Sequence, residues 1–348
     1  MLIMPENELL QYSGRIDFSD RLAPVFIYPC SYVRMNFTGK TLKVLVENHS
    51  DCWENDLGYI LDGHQGKLGL AEKGRETLTI PVETDQEVHD LMLFKRMDSC
   101  HIFNFYGFEV DEDCELKPVA AKPDRRIEVY GDSISAGEVS EAVEYAGIED
   151  PEHHGQYSNS YYSYAWMSAR KLEAEIHDIA QGGIALMDHT GYFGAPDYIG
   201  IEHTYDKMQY NPNLGTPKKW DFTRYTPHVV IVAIGQNDSH PEDFMADDPR
   251  GERARQWKEH YHRFISNIRA RYPKAVIILK TSIMEHAAKW DEAIEEVCRQ
   301  LQDGNIHHFL YSRNGCGTKG HVRIQEAAAM SDELCGFIRS LGEDIWQS

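Results

Sequence analysis

The sequence predicts two domains of different class: an all-β domain, followed by an α/β domain built on a parallel sheet. Two observations carry this prediction. In the first part of the chain, short apolar-polar alternations are separated by turn residues, and no helical period of useful length is present. In the later part, short all-apolar runs alternate with amphipathic helical patterns, which is typical of repeated βα units.

Residues 1–112 are predicted to form the β domain. Val33, Met35 and Phe37 alternate with polar residues, so that one face of their strand is apolar. Asp62–Gly63, between two further strand-like runs, predicts a hairpin turn. Short strands with regular turn signals and without helices indicate a β-sandwich or jelly roll.

The stretch 111–124 is acidic, contains two prolines and lacks a period, and within it residues 113–124 are predicted to link the two domains. Residues 125–348 then form the α/β domain. Its clearest strand, Val229–Ile234, is apolar throughout, as expected of a parallel strand that helices cover on both faces. We therefore expect a three-layer, flavodoxin-like arrangement with helices on both faces of a parallel sheet.

Small and polar residues follow three of the predicted strands. Ser133 comes just after the β-prone run Arg126–Gly131, while Gly183 and Asn237 follow later strands. In sheets of this kind, ligands bind beyond the carboxyl ends of the strands. The three residues are therefore expected to meet in one cleft.

The charge and composition of the chain exclude several functions. Its 348 residues carry a formal net charge of −21, which disfavours binding to nucleic acid or to anionic membranes. No run of residues is apolar enough to span a bilayer, and no signal peptide is visible at the N-terminus. The seven cysteines are scattered and lack metal-ligand spacing. We expect a cytoplasmic protein with reduced thiols, and the sequence leaves a homo-oligomer open.

Four positions supply the groups that acyl transfer needs: Ser133, His321, Asn237 and a glycine of Gly182–Gly183. Acyl transfer needs a nucleophile, a base to accept its proton, and donors directed at the developing oxyanion. Ser133 is the candidate nucleophile and His321 the candidate base. The Ser133 N–H, a glycine N–H, with Gly183 favoured over Gly182, and the Asn237 side-chain amide would bind the oxyanion. Asp238 is expected to brace its loop.

These residues resemble the four blocks of the SGNH, or GDSL-type, hydrolases. More narrowly, the chain is similar to carbohydrate esterase family 2. The matching stretches lie in both predicted domains and comprise Tyr12–Arg15, Leu93–Arg96, Arg125–Glu128, Gly131–Ser133, Gly182–Gly183, Trp220–Phe222, Gly235–Asp238 and His321.

The resemblance implies an N-terminal jelly-roll domain, an SGNH hydrolase domain and a serine esterase. The activity it implies is the removal of O-acetyl groups from oligosaccharides or polysaccharides of the xylan, mannan or glucomannan type. Neither a metal nor an organic cofactor is expected. A short-chain lipase or thioesterase, and a non-catalytic carbohydrate-binding protein, remain as alternatives.

One position departs from the family pattern. An aspartate usually lies three residues before the histidine, but Thr318 stands there in this chain. The resemblance then implies a Ser133–His321 dyad, in which a main-chain carbonyl holds the Nδ1–H of the imidazole. The alternatives are that His321 is not the base or that the protein is inactive.

Aromatic residues in the irregular segments are candidates for sugar-stacking platforms, because their flat faces suit the C–H faces of pyranose rings. Trp290 is the favoured candidate, with Tyr192 and Trp220 as further ones. The histidines, although numerous, show no spacing that a metal site needs.

Overall fold

The computed structural model describes residues 1–347, which divide into two compact units. The first unit comprises Met1–Lys122 together with two short downstream segments, His154–Gln156 and Met208–Lys218. The second comprises the rest of the described chain. No helix within residues 1–347 combines the length and apolar character needed to cross a membrane.

The first unit consists of two antiparallel sheets. Its strands within residues 2–117 are β1 Leu2–Ile3, β2 Gln11–Ser13, β3 Ile16–Asp17, β4 Val25–Phe26, β5 Tyr32–Phe37, β6 Leu42–Ser50, β7 Asp56–Leu61, β8 His64–Gly69, β9 Lys73–Thr79, β10 His89–Lys95, β11 His101–Val110 and β12 Leu116–Lys117. One sheet has the order β3-β4-β11-β6-β9, with β1 beside β11. The other has the order β12-β5-β10-β7-β8, with β2 beside β5. The predicted all-β domain is confirmed, while jelly-roll connectivity stays a prediction.

A hydrophobic core joins the two sheets of the first unit. Val33, Met35 and Phe37 are fully buried, as their alternation predicts, and they share this core with Phe103 of the other sheet. Burying a side chain of this size stabilises the fold by about 1.5–3 kcal/mol. The predicted hairpin is also present: Leu61 pairs with His64 across a two-residue turn.

The second unit is an α/β structure. The further strands and helices of residues 125–340, in chain order, are β13 Arg125–Gly131, α1 Ser133–Ala136, α2 Tyr164–Lys171, β14 Ala174–Ala180, α3 Ile201–Thr204, β15 Lys207–Gln209, β16 Lys218–Lys219, β17 Val229–Ala233, α4 Phe244–Asp247, α5 Glu252–Arg271, β18 Val276–Lys280, α6 Ala288–Leu301, β19 Ile306–His308 and α7 Ile324–Ser340. Short 3₁₀ turns lie at Val143–Tyr145, Ser160–Tyr162, Phe222–Arg224, Asn237–Ser239 and Glu343–Trp346.

The main sheet of the second unit has the order β14-β13-β17-β18-β19, and its neighbouring strands are all parallel. When only the strands of this sheet are numbered in chain order, this is the flavodoxin-like order 2-1-3-4-5, which confirms the predicted fold class. Helix α2 packs on α7, and α5 packs on α6. The strand order reverses between β13 and β17, so the ends of β13, β14 and β17 lie where such sheets bind ligands.

Candidate active site

Ser133 lies at the beginning of a one-turn helix directly after β13. Asp132 caps this helix, because its Oδ1 accepts a hydrogen bond from the Ile134 N–H at 3.0 Å. Gly137 ends the helix with φ at +77°, a conformation that favours glycine. The Ser133 residue is only 6% exposed. Its N–H belongs to the first turn, where helical N–H groups have no helical acceptor.

The imidazole of His321 is held by a carboxylate. Its Nδ1 lies 2.6 Å from Oδ2 of Asp150, and the main-chain N–H of His321 donates to Oδ1 of the same group at 2.8 Å. The expectation that a main-chain carbonyl holds Nδ1 is therefore wrong. A carboxylate fixes the Nδ1–H tautomer and also stabilises the imidazolium, which a carbonyl does less well.

A buried arginine anchors this carboxylate. Arg323 has no exposed surface, and its Nη2 donates to Oδ1 of Asp150 at 2.7 Å. Its other nitrogens donate to the carbonyl groups of His321 at 2.5 Å and Ala142 at 3.1 Å. Burial opposes ionisation of Asp150, but the hydrogen bonds and charges of His321 and Arg323 outweigh it and hold the pKa of Asp150 below its ordinary value.

A second carboxylate lies beside the other nitrogen of the ring. Oε1 of Glu138 is 3.9 Å from Nε2 of His321. Burial alone would lower the pKa of His321. The charge of Glu138 and the hydrogen bond to Asp150 outweigh that effect, so the pKa of His321 rises above its ordinary value of 6.5.

The glycine loop after β14 has a backbone conformation that favours glycine at position 183. Gly183 has φ at +69°, and a Cβ placed on it would lie 2.8 Å from Cβ of Tyr192. Its carbonyl accepts hydrogen bonds from the main-chain N–H groups of Tyr192 at 2.7 Å and Phe193 at 3.3 Å. A side chain at position 183 would thus disturb the whole loop. The preference for Gly183 over Gly182 stays a prediction.

Asp132 and Asn237 together link the three strand ends. Oδ2 of Asp132 accepts hydrogen bonds from Nε2 of Gln236 at 2.6 Å and from Nδ2 of Asn237 at 3.3 Å. The Asn237 amide also donates to the carbonyl of Ile184, in the glycine loop, at 3.0 Å. Burial raises the pKa of Asp132, although hydrogen bonds from Ile134 and Gln236 counteract part of this effect. The serine, glycine and asparagine segments are therefore brought together.

Asp238 braces the same loop, as expected. It is completely buried, and both of its carboxylate oxygens lie 3.0 Å from the N–H of Leu186. The Thr190 hydroxyl approaches it at 3.4 Å. Burial raises the pKa of Asp238 to about 7, against the lowering effect of these donors.

Two of the three predicted sugar platforms are not available. Trp290 is fully buried, packs on Phe244 and Trp257, and donates its Nε1–H to Asp243 at 3.0 Å. Trp220 is also buried, at 5% exposure. Both predictions are wrong because these rings belong to the core.

Tyr192, in contrast, is 56% exposed on the segment that contacts the glycine loop. Its ring stacks on His240, with 4.1 Å between the ring centroids and 26° between the planes. The exposed Tyr192 ring is thus held in place by His240 near the glycine loop, and its role in sugar binding stays a prediction.

Asp150, Arg323 and Glu138 are the residues that the sequence analysis missed. Asp150 and Glu138 lie in the polar insertion after Ser133, at positions that no motif marks. Gly320 leaves room for the carboxylate, since a Cβ there would lie 2.4 Å from Oδ1 of Asp150, but the sequence alone does not show this contact. Within residues 1–347, no three His, Cys, Asp or Glu side chains form a group that could hold a metal ion.

A parallel sheet of order 2-1-3-4-5, with serine, glycine, asparagine and histidine near its strand ends, defines an SGNH-type hydrolase fold. Residues 12–119 match the family model described as "Carbohydrate esterase 2 N-terminal". The sheet order describes the second unit, and the family match lies in the first.

Comparison with whole proteins points to the same family. The chain is 31% identical over 348 residues to cellulase/esterase CelE of Acetivibrio thermocellus, covering 96% of this chain and 40% of that protein. It is 23% identical over 337 residues to an acetylxylan esterase / glucomannan deacetylase of Cellvibrio japonicus, covering 95% and 88% of the two chains. The chain thus spans well under half the length of CelE.

A solved structure shares the architecture. A family two carbohydrate esterase from Clostridium thermocellum, in complex with cellohexaose, matches with a TM-score of 0.80 and 26% identity, covering 95% of this chain and 98% of that one. The resemblance to carbohydrate esterase family 2 drawn from the sequence is confirmed.

Proposed function

We propose that this protein is a carbohydrate O-acetyl esterase that acts on oligosaccharides of the xylan, mannan or glucomannan type. The observation that carries the proposal is the hydrogen bond of 2.6 Å between His321 and Asp150, in the second unit with Ser133. A histidine oriented in this way is suited to activate a serine. The names of the relatives supply the substrate class.

In the proposed mechanism, Oγ of Ser133 attacks the acetyl carbonyl carbon while Nε2 of His321 accepts the hydroxyl proton. Asp150 holds the imidazole and stabilises the imidazolium, so a triad replaces the dyad expected from the sequence. The N–H groups of Ser133 and Gly183 bind the oxyanion, and the Asn237 amide joins them by exchanging its long hydrogen bond to Asp132, at 3.3 Å, for one to the oxyanion.

The tetrahedral intermediate collapses when His321 protonates the leaving sugar oxygen, and an acetyl-serine remains. His321 then accepts a proton from water, which attacks the acetyl carbon. Collapse of the second intermediate returns the proton to Oγ of Ser133 and releases acetate. Each proton is thus transferred through Nε2.

Acetate release from acetylated xylo- and manno-oligosaccharides tests the proposal, with wild type compared with Ser133→Ala. Wild type is expected to release acetate at least a thousandfold faster, since removing a triad nucleophile can lower kcat by roughly 10⁶-fold. Equal release by both proteins would contradict it. NMR of the products identifies the sugar and the hydroxyl.

The two alternatives give different results in the same assays. A lipase or thioesterase would prefer longer acyl chains over acetate. A non-catalytic carbohydrate-binding protein would bind the oligosaccharides without Ser133-dependent acetate release.

A further inference from the structure

Glu138 belongs to the same turn as Ser133. It follows Gly137, the residue that ends α1, and its main-chain N–H donates to the carbonyl of Ser133 at 3.0 Å. Its side chain is 11% exposed, and Oε1 lies 3.9 Å from Nε2 of His321. A carboxylate therefore faces the nitrogen that, in the proposed mechanism, gives its proton to the leaving group.

The proposed mechanism relates the position of the Glu138 carboxylate to the leaving oxygen of the substrate. The leaving sugar oxygen must come within hydrogen-bonding distance of Nε2 of His321 when it is protonated. In a sugar acetate, the hydroxyl on the adjacent ring carbon lies next to that oxygen. A carboxylate beside Nε2 is thus within reach of the adjacent hydroxyl. An ionised carboxylate only accepts hydrogen bonds, so it can pair with a free hydroxyl and not with an acetylated one.

We infer that Glu138 accepts a hydrogen bond from the free hydroxyl adjacent to the acetylated position, and so selects singly acetylated sugar rings over vicinally diacetylated ones. This inference rests on the proposed esterase function. It makes Glu138 a specificity-determining residue that contacts substrate. In a diacetylated ring, the hydroxyl that would donate this hydrogen bond is replaced by an ester, so the bond is absent and binding is weaker.

Glu138 also affects the proton affinity of His321 through its charge, and the test must separate this effect from the hydrogen bond to the substrate. The charged and titratable groups near His321 are Glu138 and Asp132 from the turn that carries Ser133, Asp150 from the insertion, and Arg323 bonded to Asp150. The His153 ring also lies near, with 6.4 Å between the ring centroids. Removing one negative charge shifts the proton affinity of His321 for every ester alike. A lost hydrogen bond affects only substrates that have the free hydroxyl.

The experiment compares wild type, Glu138→Gln and Glu138→Ala on three esters: methyl 2-O-acetyl-xyloside, methyl 2,3-di-O-acetyl-xyloside and p-nitrophenyl acetate. Glu144→Gln is the matched control, because it removes the same charge from an exposed position in the same insertion. For Glu138→Ala, kcat/KM on the monoacetate is expected to fall roughly ten- to a hundredfold, mainly through KM, as for loss of a hydrogen bond to a charged group. The other two esters should change only a few-fold.

For Glu138→Gln, the acid limb of the pH profile on p-nitrophenyl acetate should move to lower pH, while Glu144→Gln leaves it in place. A uniform loss on all three esters, or an unchanged ratio of monoacetate to diacetate, would overturn the inference. Ser133→Ala in parallel tests the esterase proposal itself. If wild type shows no Ser133-dependent hydrolysis of any ester, both proposals fail, whereas an unchanged ratio with Ser133-dependent activity removes only this one.

Discussion

The carboxylate of Asp150 lies 2.6 Å from Nδ1 of His321, across 171 residues of sequence. The usual position for such an acid, three residues before the histidine, holds Thr318. A hydrogen bond from Arg323 and one from the His321 N–H hold the same carboxylate. The orienting acid is therefore supplied by the insertion that follows Ser133.

Asp150→Asn should lower kcat on p-nitrophenyl acetate by about 10²- to 10⁴-fold, because an amide does not enforce the Nδ1–H tautomer or stabilise the imidazolium. Glu149→Gln, at the exposed neighbouring position, is the control and should retain activity. Thr318→Ala should also retain most activity. Near-normal turnover by Asp150→Asn would mean that the histidine works without this acid.

Local patterns explain why most of the fold was predictable. Alternation along a strand and all-apolar runs are set by neighbours in sequence, and parallel strands bring their ends to one edge, so Ser133, Gly183 and Asn237 could be grouped. Asp150 could not, because its partner is distant and its own segment is irregular. The Trp290 prediction failed although a local signal existed: Trp290, Ala293, Ile294 and Val297 form one buried helical face.

Arg323→Met should destabilise the second unit by about 1–3 kcal/mol, because the buried guanidinium donates to Asp150, His321 and Ala142, and these acceptors would lose that donor. Thermal unfolding followed by circular dichroism measures this effect. Arg339→Met, at the other end of the adjoining helix α7, is the control. The Arg339 side chain is exposed and donates to the Lys171 carbonyl at 2.9 Å. Equal shifts in the two variants would argue against a special role for Arg323.

The pH dependence of activity should follow the raised pKa of His321. The base must be neutral to accept the Ser133 proton, so kcat/KM should rise with pH through a midpoint above 6.5. The same shift contributes stability at low pH, and this contribution is lost as pH rises through the folded-state pKa. Asp150→Asn removes a charge that favours the imidazolium, so its residual activity should have a lower midpoint. A midpoint at or below the ordinary value in wild type would contradict this account.

The buried Asp238 should make stability depend on pH. Its pKa is raised from 3.8 to about 7, so the folded state holds the proton more tightly than the unfolded state. The resulting stabilisation is present at low pH and is lost as pH rises through this window. Asp238→Asn removes the titration. The free energy of unfolding of wild type relative to this variant should therefore decrease between about pH 4 and pH 7.

Urea unfolding at several pH values measures the difference. Asp247→Asn, at an exposed position, serves as the comparison and should show no such trend. A difference between wild type and Asp238→Asn that stays constant across the window would show that Asp238 does not titrate there.

Gly183→Ala should reduce kcat on p-nitrophenyl acetate by roughly a hundredfold or more, comparable to the loss of an oxyanion donor. The added Cβ would lie 2.8 Å from Cβ of Tyr192, at a residue whose φ is +69°, so the N–H must move from its position. Gly182→Ala is the matched variant, and it should lose less activity if Gly183 supplies the oxyanion donor. A larger loss for Gly182→Ala than for Gly183→Ala would instead assign the oxyanion donor to Gly182.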